Sequence, residues 1–445
     1  AQQQCTGPLG LTVSNLAVVA QSHFGVTGGA TSIGEQPIKG LIDPAAMARM
    51  SVAEALTNIV WARVSALEDV RCSANWMWAA KLPGEGAHIY DAAVAMSEFM
   101  SALGIAVDGG KDSLSMASMD RETGEIVKAP GSLVISAYVT SPDITKTVTP
   151  DIKRPGRSKL LYIDLGGGKY RLGGSALAQC FGQLGDETPD IEDPALLKRA
   201  FNAVQELIEE GLILAGHDIS DGGLITAALE MAFAGNSGLE IDIKAEANAL
   251  EVLFAEEAGL LIEYSPDYEE KVLDTFNKAD VAYQLIGETT EEKVITVSVN
   301  ETVVLDDPLE ELRAVWEETS YRLDRLQANP ECVEEERKNV YSRPGPRFTV
   351  SFEPEETPEV TVRPKVAIVR EEGSNGDREM TSAFYAAGFE PWDITITDIM
   401  EGRAALSDMR GVVFVGGFSY ADVLDSAKGW GGVIRFNEKV RAEFD

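Results

Sequence analysis

The sequence is short of the residues that most often mark chemistry. Its four cysteines, Cys5, Cys72, Cys180 and Cys332, are far apart in 445 residues and form no CxxC pair. A zinc ribbon and a disulfide framework are thereby excluded, and a reducing compartment is the simple expectation. No apolar run approaches the ~18–20 residues of a membrane span, and no secretory signal is expected. A cytoplasmic location without a membrane partner is therefore expected. Basic residues are scarce: 38 Lys and Arg face 72 Asp and Glu, a net charge of −34. Such a surface repels phosphate backbones and excludes general nucleic-acid binding. Phosphate loops are missing too. Gly166, Gly167, Gly168 and Lys169 suggest GxxxxGK[ST], but Ile163 and Tyr170 stand where glycine and Ser or Thr are needed. No GxGxxG follows the first strand of 364–445. A nucleotide, if bound, must be held by local amides, a few side chains and metal ions.

What is there is an ordinary globular composition, 44 % hydrophobic and 25 % charged, long enough for about three domains. "LTVSNLAVVA" (11–20) alternates like a half-buried strand, and "HFGVTGGATSIGEQP" (23–37) reads as a glycine-rich loop. A helix is expected over 43–64, with Asp43 as its cap and Pro44 in its first turn. "GSLVISAYV" (131–139) and "KLLYIDLGGG" (159–168) are strands, and "DIKRPGRS" (151–158) is a linker. Helical patterns follow at 173–185, 193–211 and 222–235, the second ending on Gly211. Residues 308–327 form an acidic amphipathic helix, and 328–363 an extended connector rich in Pro, Glu and Arg. From 364 a new strand–loop–helix unit begins. The chain starts without Met and stops just after a helical pattern opens, so both ends read as cut.

Several residues are candidates for chemistry. Glu54 and Asn58, four apart, share one helix face among apolar neighbours. A carboxylate and an amide oxygen placed so suit a hard cation such as Mg²⁺, or else form a solvated polar face. "GHDISDGGL" (216–224) lies at a strand–turn–helix junction, where ligands meet helix N-termini. Asp218 and Asp221 suit a metal there and Ser220 a phosphate; the competing explanation is that Ser220 or Asp221 merely caps the helix. A Ser-His-Asp triad cannot converge from one turn, and His217 is assigned a structural hydrogen bond. In "VDGGKDSLSM" (107–116), Lys111 could meet a phosphate and Asp112 a metal, or the stretch is a surface turn. In "GGFSYAD" (416–422), the Gly417 and Phe418 amides are oxyanion-hole candidates.

The combination of motifs is more specific than any one of them. "QQQCTGPLGL", "SIGEQP", "AEALTNI", "SANWMWAA", "GGKDSLSM", "GSLVISAY", "GHDISDGG", "EMAFAGNSGLEIDI" and "GGFSYADVL" occur in this order. With the connector "LRAVWEETSYRLDRLQANPECVEEE", the chain resembles, from end to end, the large single-chain phosphoribosylformylglycinamidine synthase family. That family joins a duplicated synthetase core to a class I glutamine amidotransferase.

The resemblance implies an α/β and α+β fold. Residues 1–155 would be an incomplete N-terminal subdomain of the second synthetase half, and 156–300 its C-terminal α/β subdomain of the aminoimidazole ribonucleotide synthetase type. Residues 301–363 would be a helical and extended connector, and 364–445 the truncated, doubly wound start of the amidotransferase. It implies an ATP-dependent carbon–nitrogen ligase of purine biosynthesis. ATP phosphorylates the formyl amide oxygen of formylglycinamide ribonucleotide, and ammonia from glutamine displaces the phosphate to give the amidine. In this half it implies an auxiliary site for Mg²⁺ and ATP or ADP, with Glu54, Asn58, Asp218 and Asn15 as metal ligands and Ser14 and Ser220 on the nucleotide. The family carries an aspartate in a "VAD" motif where this chain has Ser14 and Asn15, which removes one charge. The amidotransferase cysteine elbow would lie beyond residue 445 and the phosphorylating half before residue 1. No catalytic residue is then expected in this chain, and alone it should be inactive. The alternative is a non-catalytic nucleotide-binding scaffold of the same superfamily; a more distant option, an aminoimidazole ribonucleotide synthetase or a selenide-water dikinase, is argued against by the amidotransferase start.

Overall fold

The pair Asp43–Pro44 starts the helix around which the first part of the molecule is built. Asp43 Oδ1 accepts hydrogen bonds from the Ala45 amide (2.8 Å) and the Ala46 amide (3.1 Å), and helix α1 runs Pro44–Ile59. It stops short of the expected Val64 because the chain turns at Val60 and lays the Trp61 ring over Gly216, where a Cβ would stand 2.1 Å from the ring. The computed structural model describes residues 5–342, 345, 349–353, 360–423 and 425–445. Two units result, 1–347 and 348–445.

In the first unit, α1 lies on a five-stranded sheet. Its strands are β1 (Leu16–Ala20), β2 (Gly28–Glu35), β3 (Arg71–Met77), β4 (Ala106–Ser113) and β5 (Ser132–Ser141), ordered β1-β2-β5-β3-β4. Neighbours are antiparallel except β3 and β4. Helix α2 (Glu85–Leu103) packs beside α1. Two expectations change here. The strand expected over 11–20 is broken: Leu11–Thr12 pairs with Cys5–Thr6, and β1 starts only at Leu16. The supposed loop 23–37 contains β2. Its glycines are not breakers. At Gly34 an added Cβ would stand 2.1 Å from Ser51 O and 2.4 Å from Ala55 N, so the missing side chain lets α1 rest directly on the strand.

A second, seven-stranded sheet holds β6 (Lys159–Asp164), β7 (Ile213–Ile219), β8 (Gly238–Ile243), β9 (Gly259–Tyr264), β10 (Gln284–Thr290), β11 (Val294–Val299) and β12 (Thr302–Pro308). The order is β7-β9-β6-β10-β8-β11-β12, with β8 and β11 the parallel pair. Alternation along the strands separates two cores. Leu161, Ile163, Leu260 and Ile262 join α1, the first sheet and helix α3 (Pro194–Glu209). Leu160, Tyr162 and Leu261 join helix α4 (Gly223–Gly235). Residues on both sides of 155 thus share one core.

The helix expected over 173–185 is only Ala176–Cys180, capped by Ser175; the glycines on either side carry the chain out of helical geometry. Helix α5 (Leu309–Gln327) is as expected. The extended connector after it is interrupted by helix α6 (Pro330–Asn339), started by Asn329, whose Oδ1 accepts from the Glu331 amide (2.9 Å). Parts of 328–363 lie outside the described residues.

The second unit contains β13 (Lys365–Arg370), helix α7 (Asp377–Ala386), β14 (Glu390–Thr395) and β15 (Gly411–Phe414). Its sheet, β14-β13-β15, is wholly parallel, as a doubly wound domain requires. The fold is mixed α/β throughout. Among the described residues no helix is long and apolar enough to cross a membrane.

Candidate functional site

Because Gly34 lets α1 touch β2, Glu54 on α1 reaches the end of that strand. Glu54 Oε2 accepts from the Glu35 amide (2.7 Å) and from Gln36 Nε2 (2.9 Å). One turn on, Asn58 is buried; its Nδ2 donates to Ile33 O (3.0 Å), and its Oδ1 has no hydrogen-bond partner. Both side chains leave the apolar face of a helix, so neither is a solvated surface group.

Asp218 arrives from the other sheet. Strand β7 runs on through the motif to Ile219, pairing His217 with Leu261 and Asp218 with Leu260. His217 and Asp218 are therefore held in a ladder, both buried. Helix α4 begins after Gly222, whose φ of +83° makes the left-handed turn, and no side chain caps it. Neither Ser220 nor Asp221 is a cap, so capping does not account for this motif.

Asp218 Oδ1 accepts from His217 Nδ1 (2.9 Å) and from Asn15 Nδ2 (3.3 Å), while its Oδ2 is buried without a partner. Ser14, Asn15, Asn58, Trp61, His217 and Asp218 line a cavity of about 10 Å³, room for a single small ion or water. Two of the unpartnered buried oxygens, Asn58 Oδ1 and Asp218 Oδ2, belong to this lining, as does the unpartnered Trp61 Nε1.

The electrostatics are uneven. Burial pushes Glu54 up to about 8; the negative charges of Asp218 and Asp221 add to this, against the hydrogen bonds from Gln36 and the Glu35 amide. Asp221 is raised by burial and by Glu256. Asp218 goes the other way: burial raises it, but the His217 bond and charge, helped by Asn15 and Ser220, hold its carboxyl below the usual range. Burial pulls His217 down, yet its bonds to Asp218 and to Glu230 Oε2 (3.0 Å) win and push it up to about 10. The ring is an imidazolium donating from both nitrogens.

Sequence reasoning missed one further group. Lys39, 2 % exposed, pairs with the equally buried Glu256 (2.7 Å) and donates to Gln36 Oε1. Glu256 Oε1 in turn accepts from the Gly222 amide (2.8 Å) and the Ala176 amide (2.7 Å). A continuous line of hydrogen bonds thus joins Glu54, through Gln36, Lys39 and Glu256, to the start of α4. The only signal was "GEQPIKG", with an amide and a lysine directly after a strand end.

The fit to a cation can be tested on these atoms. Two carboxylates, one held up by burial and then by nearby negative charge, and two unpartnered buried oxygens suit a hard cation. Asn15 fits less well, since it turns its nitrogen and not its oxygen toward Asp218. Among the described residues no cluster of three or more His, Cys, Asp or Glu is arranged for a metal, so amide oxygens would have to complete the set. Ser14 is buried beside Asn15, and its Oγ donates to Leu16 O (3.4 Å).

The remaining candidates lie elsewhere. Lys111 and Asp112 are on β4, an exposed edge strand and not a turn, where Lys111 Nζ donates to Ser113 Oγ (3.0 Å). In the second unit, the Phe418 amide already donates to Gly373 O (2.8 Å), which leaves Gly417 as the amide of the pair available to an oxyanion.

Comparison with known proteins covers the chain piecewise and whole. Residues 1–140 match the FGAR-AT PurM_N-like domain, 163–300 the AIR synthase related protein C-terminal domain, and 363–445 the CobB/CobQ-like glutamine amidotransferase domain. Over its full length the chain is 56 % identical to a probable phosphoribosylformylglycinamidine synthase, chloroplastic/mitochondrial, of Arabidopsis thaliana, covering 32 % of that protein. It is 54 % identical to the phosphoribosylformylglycinamidine synthase of Homo sapiens, covering 34 % of it. The chain thus spans about a third of the length of the curated relatives it matches. Among solved structures, T. maritima PurL complexed with FGAR aligns with a TM-score of 0.55 at 17 % identity, over 67 % of this chain and 48 % of that one. T. maritima PurL complexed with ATP aligns at 0.50 and 16 % identity, over 86 % and 54 %. At these identities the structures speak for the fold alone. Along its whole sequence the chain is similar to phosphoribosylformylglycinamidine synthases.

Proposed function

We propose that this chain is the second synthetase half and the amidotransferase start of a phosphoribosylformylglycinamidine synthase. The full-length protein would convert formylglycinamide ribonucleotide to the amidine with ATP and glutamine, and this segment would hold its auxiliary Mg-nucleotide site. The observation that carries the site is the pair of buried, unpartnered oxygens, Asn58 Oδ1 and Asp218 Oδ2, beside a glutamate short of positive charge.

The residues divide the work by chemistry. Glu54, Asn58 and Asp218 are the oxygen ligands; Asn15 would offer its amide oxygen only after turning away from Asp218. Ser220, just after β7, and Ser14, beside Asn15, would be the contacts to the nucleotide. Bound Mg²⁺ would supply charge to neutralise phosphate oxygens. Lys39 and Glu256 hold Gln36 and the Gly222 amide, so the loop after β2 and the start of α4 keep their spacing. These groups are oxygen ligands and hydrogen-bond partners, which suits a site that binds and positions. The small cavity and the amide in place of a third carboxylate favour weak or single-metal occupancy.

The proposal is tested in the full-length protein. An upstream synthetase half and a downstream cysteine elbow are expected; a gene product lacking both overturns the ligase assignment. Mg·ADP should raise the melting temperature, by an amount equivalent to about 2.7 kcal/mol at one hundred times Kd. Glu54→Ala should remove the part due to this site. An unchanged rise eliminates Glu54 as a ligand.

A further inference from the structure

We infer that Trp316, Glu230 and His217 are positioning residues through which helix α5 sets the orientation of the Asp218 carboxylate, and with it the cation affinity of the site. The inference rests on the reading of Asp218 as a metal ligand.

The links are continuous and each uses its own atoms. Trp316 on α5 donates from Nε1 to Glu230 Oε1 (3.3 Å). Glu230, on α4, accepts on its other oxygen from His217 Nε2 (3.0 Å). His217 donates from Nδ1 to Asp218 Oδ1 (2.9 Å). The start of the line is anchored by packing: the Trp316 ring lies against Phe233, centroids 5.8 Å apart, and Leu309 at the head of α5 is buried in the same core as α4.

The end of the line decides something. Asp218 Oδ1 is taken by His217 and Asn15, so Oδ2 is the oxygen left without a partner. A carboxylate free to rotate would satisfy both oxygens in turn. Held at Oδ1 it cannot, and the place of Oδ2 follows the place of the His217 ring. That ring, buried among side chains, is held at Nε2 by Glu230, and Glu230 by Trp316. A histidine needing only a structural partner would be satisfied by Asp218, its neighbour in sequence. The second carboxylate, carried by a different helix and tied to a third, fixes the ring's angle. Partners behind a ligand commonly orient it in this way, and losing one lowers metal affinity about 10–100-fold.

The test uses the full-length protein. Mg²⁺ is titrated at fixed ADP by calorimetry, with metal-free ADP binding and the ligand-free melting temperature measured alongside. The component that Glu54→Ala removes defines this site. Glu230→Gln should weaken Mg²⁺ binding in that component about tenfold. Trp316→Phe, which keeps a ring on Phe233 but deletes the N–H, should weaken it less, in the same direction. Metal-free ADP binding should hold in both variants, and the Trp316→Phe melt should match wild type; a purely structural role would move the melt and leave the Mg²⁺ affinity alone. If Glu230→Gln does not fold, Trp316→Phe decides. Wild-type Mg²⁺ affinity in the variants, with Glu54→Ala still abolishing the component, overturns the positioning line and leaves the site standing. If Glu54→Ala removes nothing, the site itself falls and the inference with it.

Discussion

Glu54 and Asp218, the two carboxylates of the proposed site, are pushed in opposite directions by their surroundings. Glu54 comes off helix α1 with only neutral donors, Gln36 and the Glu35 amide, and burial with nearby negative charge raises it to about 8. Asp218 comes off strand β7 with a charged partner, His217, and is held low despite deeper burial. The difference is a matter of who supplies the positive charge. The Asp218 side brings its own cation in the protein, whereas the Glu54 side is left for something else to neutralise. A cation site built this way would have one carboxylate held low by the protein and a second held up until a cation arrives.

The comparison can be broken most severely at Asp218. Asp218→Ala strips a buried imidazolium of one of two partners, and in the absence of ligand should cost about 3–5 kcal/mol of stability. Glu54→Ala removes a group that is poorly accommodated and should cost far less. Equal losses in denaturant unfolding would show that the two carboxylates are not in opposite states. Next in size is pH. In the folded protein Glu54 keeps its proton from its ordinary value of 4.5 up to about 8, while the unfolded chain has already lost it. The unfolded state binds fewer protons across that window. Glu54's contribution is therefore complete below pH 4.5 and is lost as pH rises through 8, at up to about 1.4 kcal/mol per pH unit. Comparing thermal unfolding of wild type and Glu54→Gln across the window isolates it: the variant should lack this fall, and saturating Mg²⁺ at pH 8 should reduce it in the wild type. Identical pH slopes would remove the premise. The smallest change sharpens the comparison. Asn15→Asp adds the absent charge and deletes a donor to Asp218, so Mg²⁺ should bind about tenfold tighter while the ligand-free protein becomes slightly less stable. Unaltered Mg²⁺ affinity by calorimetry would mean that position 15 does not contribute to the site.

Much of this was legible in the chain because it was local. Asp43–Pro44 and Asp193–Pro194 announce α1 and α3, since cap and first turn are set by adjacent residues. Asn329–Pro330 starts α6 by the same device, but the acidic, proline-rich context masked it. Glu54 and Asn58 stood out as polar groups on an apolar face. What stayed hidden was long-range. Gly28, Gly29 and Gly34 look like loop residues until the strands that flank them and the helix that lies on them are known. Lys39 is an ordinary surface lysine by composition, and its partner Glu256 is 217 residues away. His217 was credited with a hydrogen bond but not with two carboxylates, because Glu230 is on the next helix and Trp316 on one further still.

The contact at Gly34 has a wider bearing on how this protein can vary. The distance from the glutamate to the strand end is set by a helix resting on bare backbone, and no loop length enters it. Insertions in the surface connections of this unit would therefore leave the spacing of the proposed ligands untouched. A single methyl at position 34 would lift the helix and carry Glu54 off its two donors. The fold leaves room for change in its long connections and none at the one position where the helix rests on bare backbone.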